Sequence, residues 1–211
     1  MDGGLGVHVT LDRLPQHIDI DAGAGMAWVP AGMRYGRAAQ LLDAEGWAVH
    51  NMASLGHISV AGTIATGTHG SGDGNPTLSA TVRGLELVTA GGDVITVDAD
   101  SSPSTFDGSV VALGALGVVT RVALAIQPSF QVRQYVFDGI SHDTVLARFD
   151  DIFGSAYSVS FFTCWAPNLV GQVWMKRRDG QDAPWSADAW MGGRLAEAKR
   201  HPLPGLDAVH C

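Results

Sequence analysis

The feature that most constrains this chain is residues 52–74, Met-Ala-Ser-Leu-Gly-His-Ile-Ser-Val-Ala-Gly-Thr-Ile-Ala-Thr-Gly-Thr-His-Gly-Ser-Gly-Asp-Gly, dense in glycine and hydroxyl groups and nearly free of charge. Its middle predicts one short helix. Ser59 is a good N-cap, and Val60, Ala61, Ile64 and Ala65 recur at the three-and-four spacing of a buried helical face. Gly67 is placed to stop that helix. The run from Gly67 to Gly72 lets backbone N–H groups approach another molecule closely. A helix start beside such a run is an anion site wherever its first amides are unpaired. Tight turns explain the same glycines without any ligand.

The common phosphate and nucleophile motifs do not fit. No lysine follows the last glycine, and the spacing misses the G-x-G-x-x-G order. His69 stands where a nucleophile elbow around Ser71 would need its first glycine. A hydrolase pairing Ser54 or Ser71 with His57 or His69 therefore lacks its expected context.

The residues do match a family pattern. Ser54-Leu55-Gly56-His57-Ile58-Ser59-Val60-Ala61-Gly62, followed by Ala65-Thr66-Gly67-Thr68-His69-Gly70-Ser71-Gly72, closely resembles the flavin-binding loop of the vanillyl-alcohol-oxidase superfamily with its PCMH-type FAD-binding domain. Within it the resemblance points to the alditol (xylitol) oxidases and the sugar-lactone oxidases. A second stretch, Gly114-Ala115-Leu116-Gly117-Val118-Val119-Thr120, is similar to the family's small apolar helix that ends beside the adenosine half of FAD.

That resemblance implies an α+β fold. Residues 1–128 would form a PCMH-type FAD-binding domain, its antiparallel sheet flanked by helices, and 129–211 the start of an α+β cap domain. FAD is the implied cofactor. Its expected contacts are Ser54, Ser59, Gly62, Thr66, Gly67, Thr68, His69 and Gly70, joined by Gly117 and Val119. Ser54 is also the candidate catalytic contact to flavin and substrate, with capping of its own loop as the plainer role. The implied activity is oxidation of a sugar alcohol or sugar lactone by hydride transfer to flavin, with molecular oxygen as acceptor and hydrogen peroxide as product. An FAD-binding module without turnover is the alternative.

The family's covalent flavin histidine sits in a Gly-Ser-Gly-His-Ser-like context that no stretch before Ser54 matches, so neither His8 nor His17 takes that role. Its proton-handling side chains would lie beyond Cys211. The chain thus resembles the middle of a longer oxidase, cut at both ends. By itself it is expected neither to attach FAD covalently nor to oxidise xylitol.

Composition narrows the remaining choices. With 46% hydrophobic residues the 211-residue chain can hold a core, and no apolar run approaches the ~20 residues of a membrane span. A net charge of −8 argues against a nucleic-acid surface. Cys164 and Cys211 form no metal or redox spacing, so no metal site is expected. No signal peptide follows Met1, and a reducing, cytoplasmic setting is the default.

Along the chain, alternation predicts strands around Val7–Val9–Leu11, over 17–21 and over 26–29, then a helix over 34–45 ended by Gly46 and a short strand at 47–49. His50 reads as a packed or surface residue. Strands over 81–89 and 94–97 flank a Gly91-Gly92 hairpin turn. Residues 98–107 read as polar loop apart from a turn near Phe106, 109–116 as a helix stopped by Gly117, and 118–126 as a strand with Pro128 as its breaker. Beyond it come strands over 130–137, 157–163 and 172–176, a helix over 142–153 with Val145, Leu146, Phe149, Ile152 and Phe153 on one side, and a short helix over 195–200.

Overall fold

The computed structural model describes residues 9–163, 171–183, 185, 189–203 and 205–206. His8, Val7, Cys164 and Cys211 lie outside them. The chain divides into two compact units: one takes the residues through Gly70 with Pro76–Ser129, the other takes Ser71–Asn75 with the residues from Phe130 onward.

In the first unit, β1 (Asp19–Asp21), β2 (Met26–Pro30), β6 (Val118–Ala125), β4 (Val82–Val88) and β5 (Val94–Asp98) form an antiparallel sheet in the order β1-β2-β6-β4-β5. A two-stranded ribbon pairs β3 (Trp47–Ala48) with β7 (Gln127–Pro128). Two helices supply the other apolar faces. In α1 (Tyr35–Ala44), Tyr35, Ala38 and Leu42 are buried; in α2 (Val60–Ala65), Val60, Thr63 and Ile64 are. They join Val29, Leu85, Leu87, Val122 and Leu124 in one core. Burying each such Val or Leu side chain contributes roughly 1.5–3 kcal/mol.

Local signals set both helices. Ser59 Oγ accepts from the Gly62 amide at 3.3 Å, which makes it the N-cap of α2. Gly67 follows with φ +66°, a left-handed conformation that ends the helix at little steric cost. The first turn of α1 is satisfied by the segment before α2: Ile58 O accepts from Tyr35 N at 2.9 Å and Gly56 O from Gly36 N at 2.7 Å. Arg34 Nη1 donates to His57 O at 2.7 Å.

Four expectations fail in this unit. Residues 9–11 are not a strand; Leu11 instead accepts a turn bond from Leu14 N. The polar stretch 98–107 contains helix α3 (Pro103–Ser109), entered through Asp98, whose carboxylate accepts from the amides of Asp100 and Ser101 and from the Ser101 hydroxyl. The Ser101 bonds hold the Asp98 carboxyl below the usual range, and Pro103 sits where a helix tolerates a missing N–H. The helix expected over 109–116 is therefore displaced upstream, and 110–117 is an irregular loop because Leu113, Gly114 and Gly117 all take positive φ. Pro128 does not simply break a strand, since it pairs with Trp47 in β7.

In the second unit, β11 (Ala189–Trp190), β12 (Gly193–Leu195), β8 (Val132–Asp138), β10 (Gln172–Arg178) and β9 (Ser158–Phe162) form a second antiparallel sheet in that order. Its core gathers Phe137, Ile140, Val145, Ile152, Val159, Val173, Met175 and Trp190. The single helix expected over 142–153 is two, α4 (His142–Ala147) and α5 (Phe149–Phe153), because Arg148 leaves the helical region at φ −126°, ψ 30°. Leu146 and Phe149 are consequently exposed while Val145 and Ile152 stay buried. Residues 195–200 are not helical: Leu195 ends β12, which pairs with β8.

Candidate functional site

A recess of about 430 Å³ opens in the first unit between α2, the 110–117 loop and the strands β4 and β6. Its lining includes Ser59, Gly62, Ala65, Thr66, Gly117 and Val119, and it contains no ionisable side chain. The volume falls in the ~300–1,000 Å³ range of small-molecule sites. Two stretches about fifty residues apart in sequence, read as separate motifs, thus meet around one cavity. Val9 and Leu11 also line it; no sequence signal marked them, since their alternation suggested only a strand.

The structure revises how a negative group could be held. The first amides of α2 are engaged: Val60 N donates to Met33 O at 2.8 Å, Ala61 N to Ala31 O at 3.0 Å, and Gly62 N to the Ser59 hydroxyl. The expected anion site at that helix start is therefore closed by the protein itself. The amides of His69 and Gly70, further along, have no intramolecular acceptor among the described residues. A Cβ at Gly70 would come within 2.5 Å of both Asn51 Nδ2 and Met52 O, so only glycine lets the two segments approach there. Asn51 is 5% exposed, its Oδ1 accepts from Met52 N at 2.9 Å, and its Nδ2 lacks a partner among the described residues. These features fit a group that needs hydrogen-bond donors, although none of Asn51, His69 and Gly70 lines the apolar recess.

The other predicted residues fall in different places. Thr66 is exposed and donates to Gly62 O at 2.9 Å, with Thr68 Oγ1 at 3.3 Å. His69 is exposed and its Nδ1 lies 3.1 Å from Gly70 O. Gly67 has open space around a would-be Cβ, with Val111 Cγ1 as far as 3.9 Å, so its backbone angle and not close approach demands glycine. Ser54 is exposed and makes no hydrogen bond among the described residues, which removes the loop-capping role. Ser71 belongs to the second unit, where its hydroxyl lies 2.5 Å from Ser158 Oγ and accepts from Ser160 Oγ at 3.1 Å. Neither Ser54 nor Ser71 hydrogen-bonds a histidine among the described residues, so no nucleophile–base pair supports the hydrolase reading.

Burial pushes the Tyr35 hydroxyl up to about 12, and its OH has no hydrogen-bond partner among the described residues. In the second unit burial raises Tyr157, opposed by its bond to Arg178, and lowers Lys176. Among the described residues no group of acidic, His or Cys side chains is arranged to hold a metal, and no helix is long and apolar enough to cross a membrane.

Comparison with known proteins bears on this geometry. Residues 2–98 match the family model for an FAD binding domain. The chain is 44% identical, over 99% of its own length, to an alditol oxidase from a Streptomyces strain, of which it covers 48%. It is 29% identical to the D-arabinono-1,4-lactone oxidase of Kluyveromyces lactis, over 78% of this chain and 31% of that protein. With the enzyme of the same name from Eremothecium gossypii the identity is 30%, over 79% and 31% respectively. The chain spans about half the length of the first relative and less of the others. Residues 2–98 are thus similar to the FAD binding domain family, the described residues are α+β, and the match indicates FAD as the cofactor.

Proposed function

We propose that this chain is part of an FAD-dependent oxidase acting on a sugar alcohol or a sugar lactone. The observation that carries it is an apolar recess lined both by Ser59, Gly62 and Thr66 of one motif and by Gly117 and Val119 of the other. The names of the similar proteins, alditol oxidase and D-arabinono-1,4-lactone oxidase, supply the substrate class. FAD, when bound, would supply the two-electron chemistry, accepting a hydride equivalent with oxygen as the proposed final acceptor and hydrogen peroxide as the product.

The protein's own contributions are to bind and orient. Aliphatic walls remove apolar ring surface from water. The amides of His69 and Gly70, without acceptors among the described residues, are the donors proposed for phosphate oxygens. Ser54, exposed and unbonded, is the hydroxyl available to a polyol. In this reading 1–128 is the FAD-binding domain, 129–211 the start of a cap domain, and the setting is cytoplasmic.

The test is titration of the purified protein with FAD, followed by flavin fluorescence, against Ala112→Trp. Ala112 lines the recess from an irregular loop, so the indole fills space without removing core. Saturable binding is expected, weakened at least about tenfold in the variant at unchanged circular dichroism; one tenfold step is about 1.4 kcal/mol. Equal affinity in both proteins removes the recess from FAD binding. A peroxide assay on xylitol and on a pentonolactone separates turnover from binding alone.

A further inference from the structure

Arg133 and Arg177 stand directly opposite each other across the antiparallel pair β8–β10. Like charges at such positions repel. Arg178 follows at the strand end, and the three residues line one recess of about 340 Å³ with Tyr135, Asp179, Gly180 and Gln181. Asp179 Oδ1 accepts from Arg133 Nε at 2.8 Å, the one ion pair that these arginines make among the described residues. This positive concentration occurs in a chain whose net charge is −8.

Arg177 is the informative member. It is 6% exposed, and a guanidinium carries five N–H donors. Among the described residues it donates one hydrogen bond, from Nη1 to Ser155 O at 3.3 Å, and lies 5.5 Å from the Trp185 ring. No carboxylate among the described residues forms an ion pair with it. A buried cation in that state is costly unless something answers its charge. Arg178, next along the strand, points to the other face of the sheet; there its guanidinium stacks over Phe130 at 3.8 Å and Tyr157 at 4.6 Å.

We infer that the recess between Arg133 and Arg177 binds a small oxyanion, the phosphoryl or carboxylate group of a metabolite. Such groups present two oxygens in the geometry of the arginine fork. The recess shares no lining residue with the apolar cavity of the first unit. Asp179 is then a competitor that holds Arg133 when the ligand is away.

The experiment is calorimetric titration of the full chain with inorganic phosphate and, separately, acetate, at constant ionic strength. Saturable binding of at least one is expected below about 10 mM. Arg133→Ala, at a side chain 70% exposed, spares the core and should weaken binding about tenfold through loss of a charge-assisted contact. Asp179→Asn should tighten binding about threefold by removing the competing charge. Preference for phosphate assigns a phosphoryl ligand, and preference for acetate a carboxylate. Absence of saturable binding by both overturns the inference, as does equal affinity in the parent and the two variants.

Discussion

Two recesses of this protein are built on opposite principles. The one in the first unit is walled by aliphatic side chains and backbone and contains no ionisable group. The one in the second unit is walled by three arginines, an aspartate and a tyrosine. A neutral recess holds a large ligand through area removed from water and a few fixed amides. A charged recess holds a small ligand through directed, charge-assisted bonds. The first depends on where the backbone runs, so glycine substitutions should damage it most. The second depends on which charges face one another, so it should tolerate reshaping and respond to charge.

The largest expected effect tests the backbone half of that contrast. Gly117 has φ +140°, and a Cβ there would lie 2.2 Å from Val88 O. Gly117→Ala should cost about 3 kcal/mol or more in urea unfolding, from strain and overpacking together. Retained stability would mean that the recess is not set by this backbone contact. Gly67→Ala should be milder. It meets open space at φ +66°, so only the left-handed penalty of about 1–2 kcal/mol applies, with FAD affinity largely kept. A total loss of FAD binding there would put a ligand atom against Gly67 after all.

Tyr35→Phe probes the interior of the first unit, with the opposite sign. A buried hydroxyl without a partner costs about 1–3 kcal/mol, so phenylalanine should raise stability by about 1 kcal/mol at neutral pH. The parent should also lose stability as pH climbs from about 10 toward 12. The folded-state value lies above the ordinary one, so the unfolded chain releases this proton first, and the variant should lose that part of the slope. A destabilised Tyr35→Phe would reveal a partner for the hydroxyl.

The smallest expected effect on stability comes from Ser54→Ala. The side chain is exposed and unbonded, so the change should stay within about 0.5 kcal/mol. In a complete oxidase carrying this segment, polyol turnover should nevertheless fall by about one decade or less, the worth of one neutral hydrogen bond. A marked loss of stability would return Ser54 to a structural role.

Much of this architecture was legible because it is local. The Ser59 cap, the four apolar positions after it and the stop at Gly67 are decided within one stretch of chain, and α2 follows that reading. The strands around Gly91 and Gly92 pair as their alternation indicates. The misread segments were those in which local pattern and backbone angle disagree. Residues 109–116 have helical composition, but positive φ at Leu113, Gly114 and Gly117 turns the chain into the loop that walls the recess. Apolar positions over 142–153 suggested one helix, yet the chain breaks at Arg148 and leaves Leu146 and Phe149 in water.

The amino-acid sequence by itself determined the helix α2, the glycine spacing and the family resemblance, because caps, turns and motif order are properties of neighbouring residues. The tertiary structure alone decided which hydrogen-bond donors are left over. Met33 O and Ala31 O consume the amides at the start of α2, while those of His69 and Gly70 have no acceptor among the described residues. It also decided that Arg133 and Arg177, more than forty residues apart, face each other. Donor satisfaction and charge apposition depend on partners distant in sequence, so neither can be read from any single stretch.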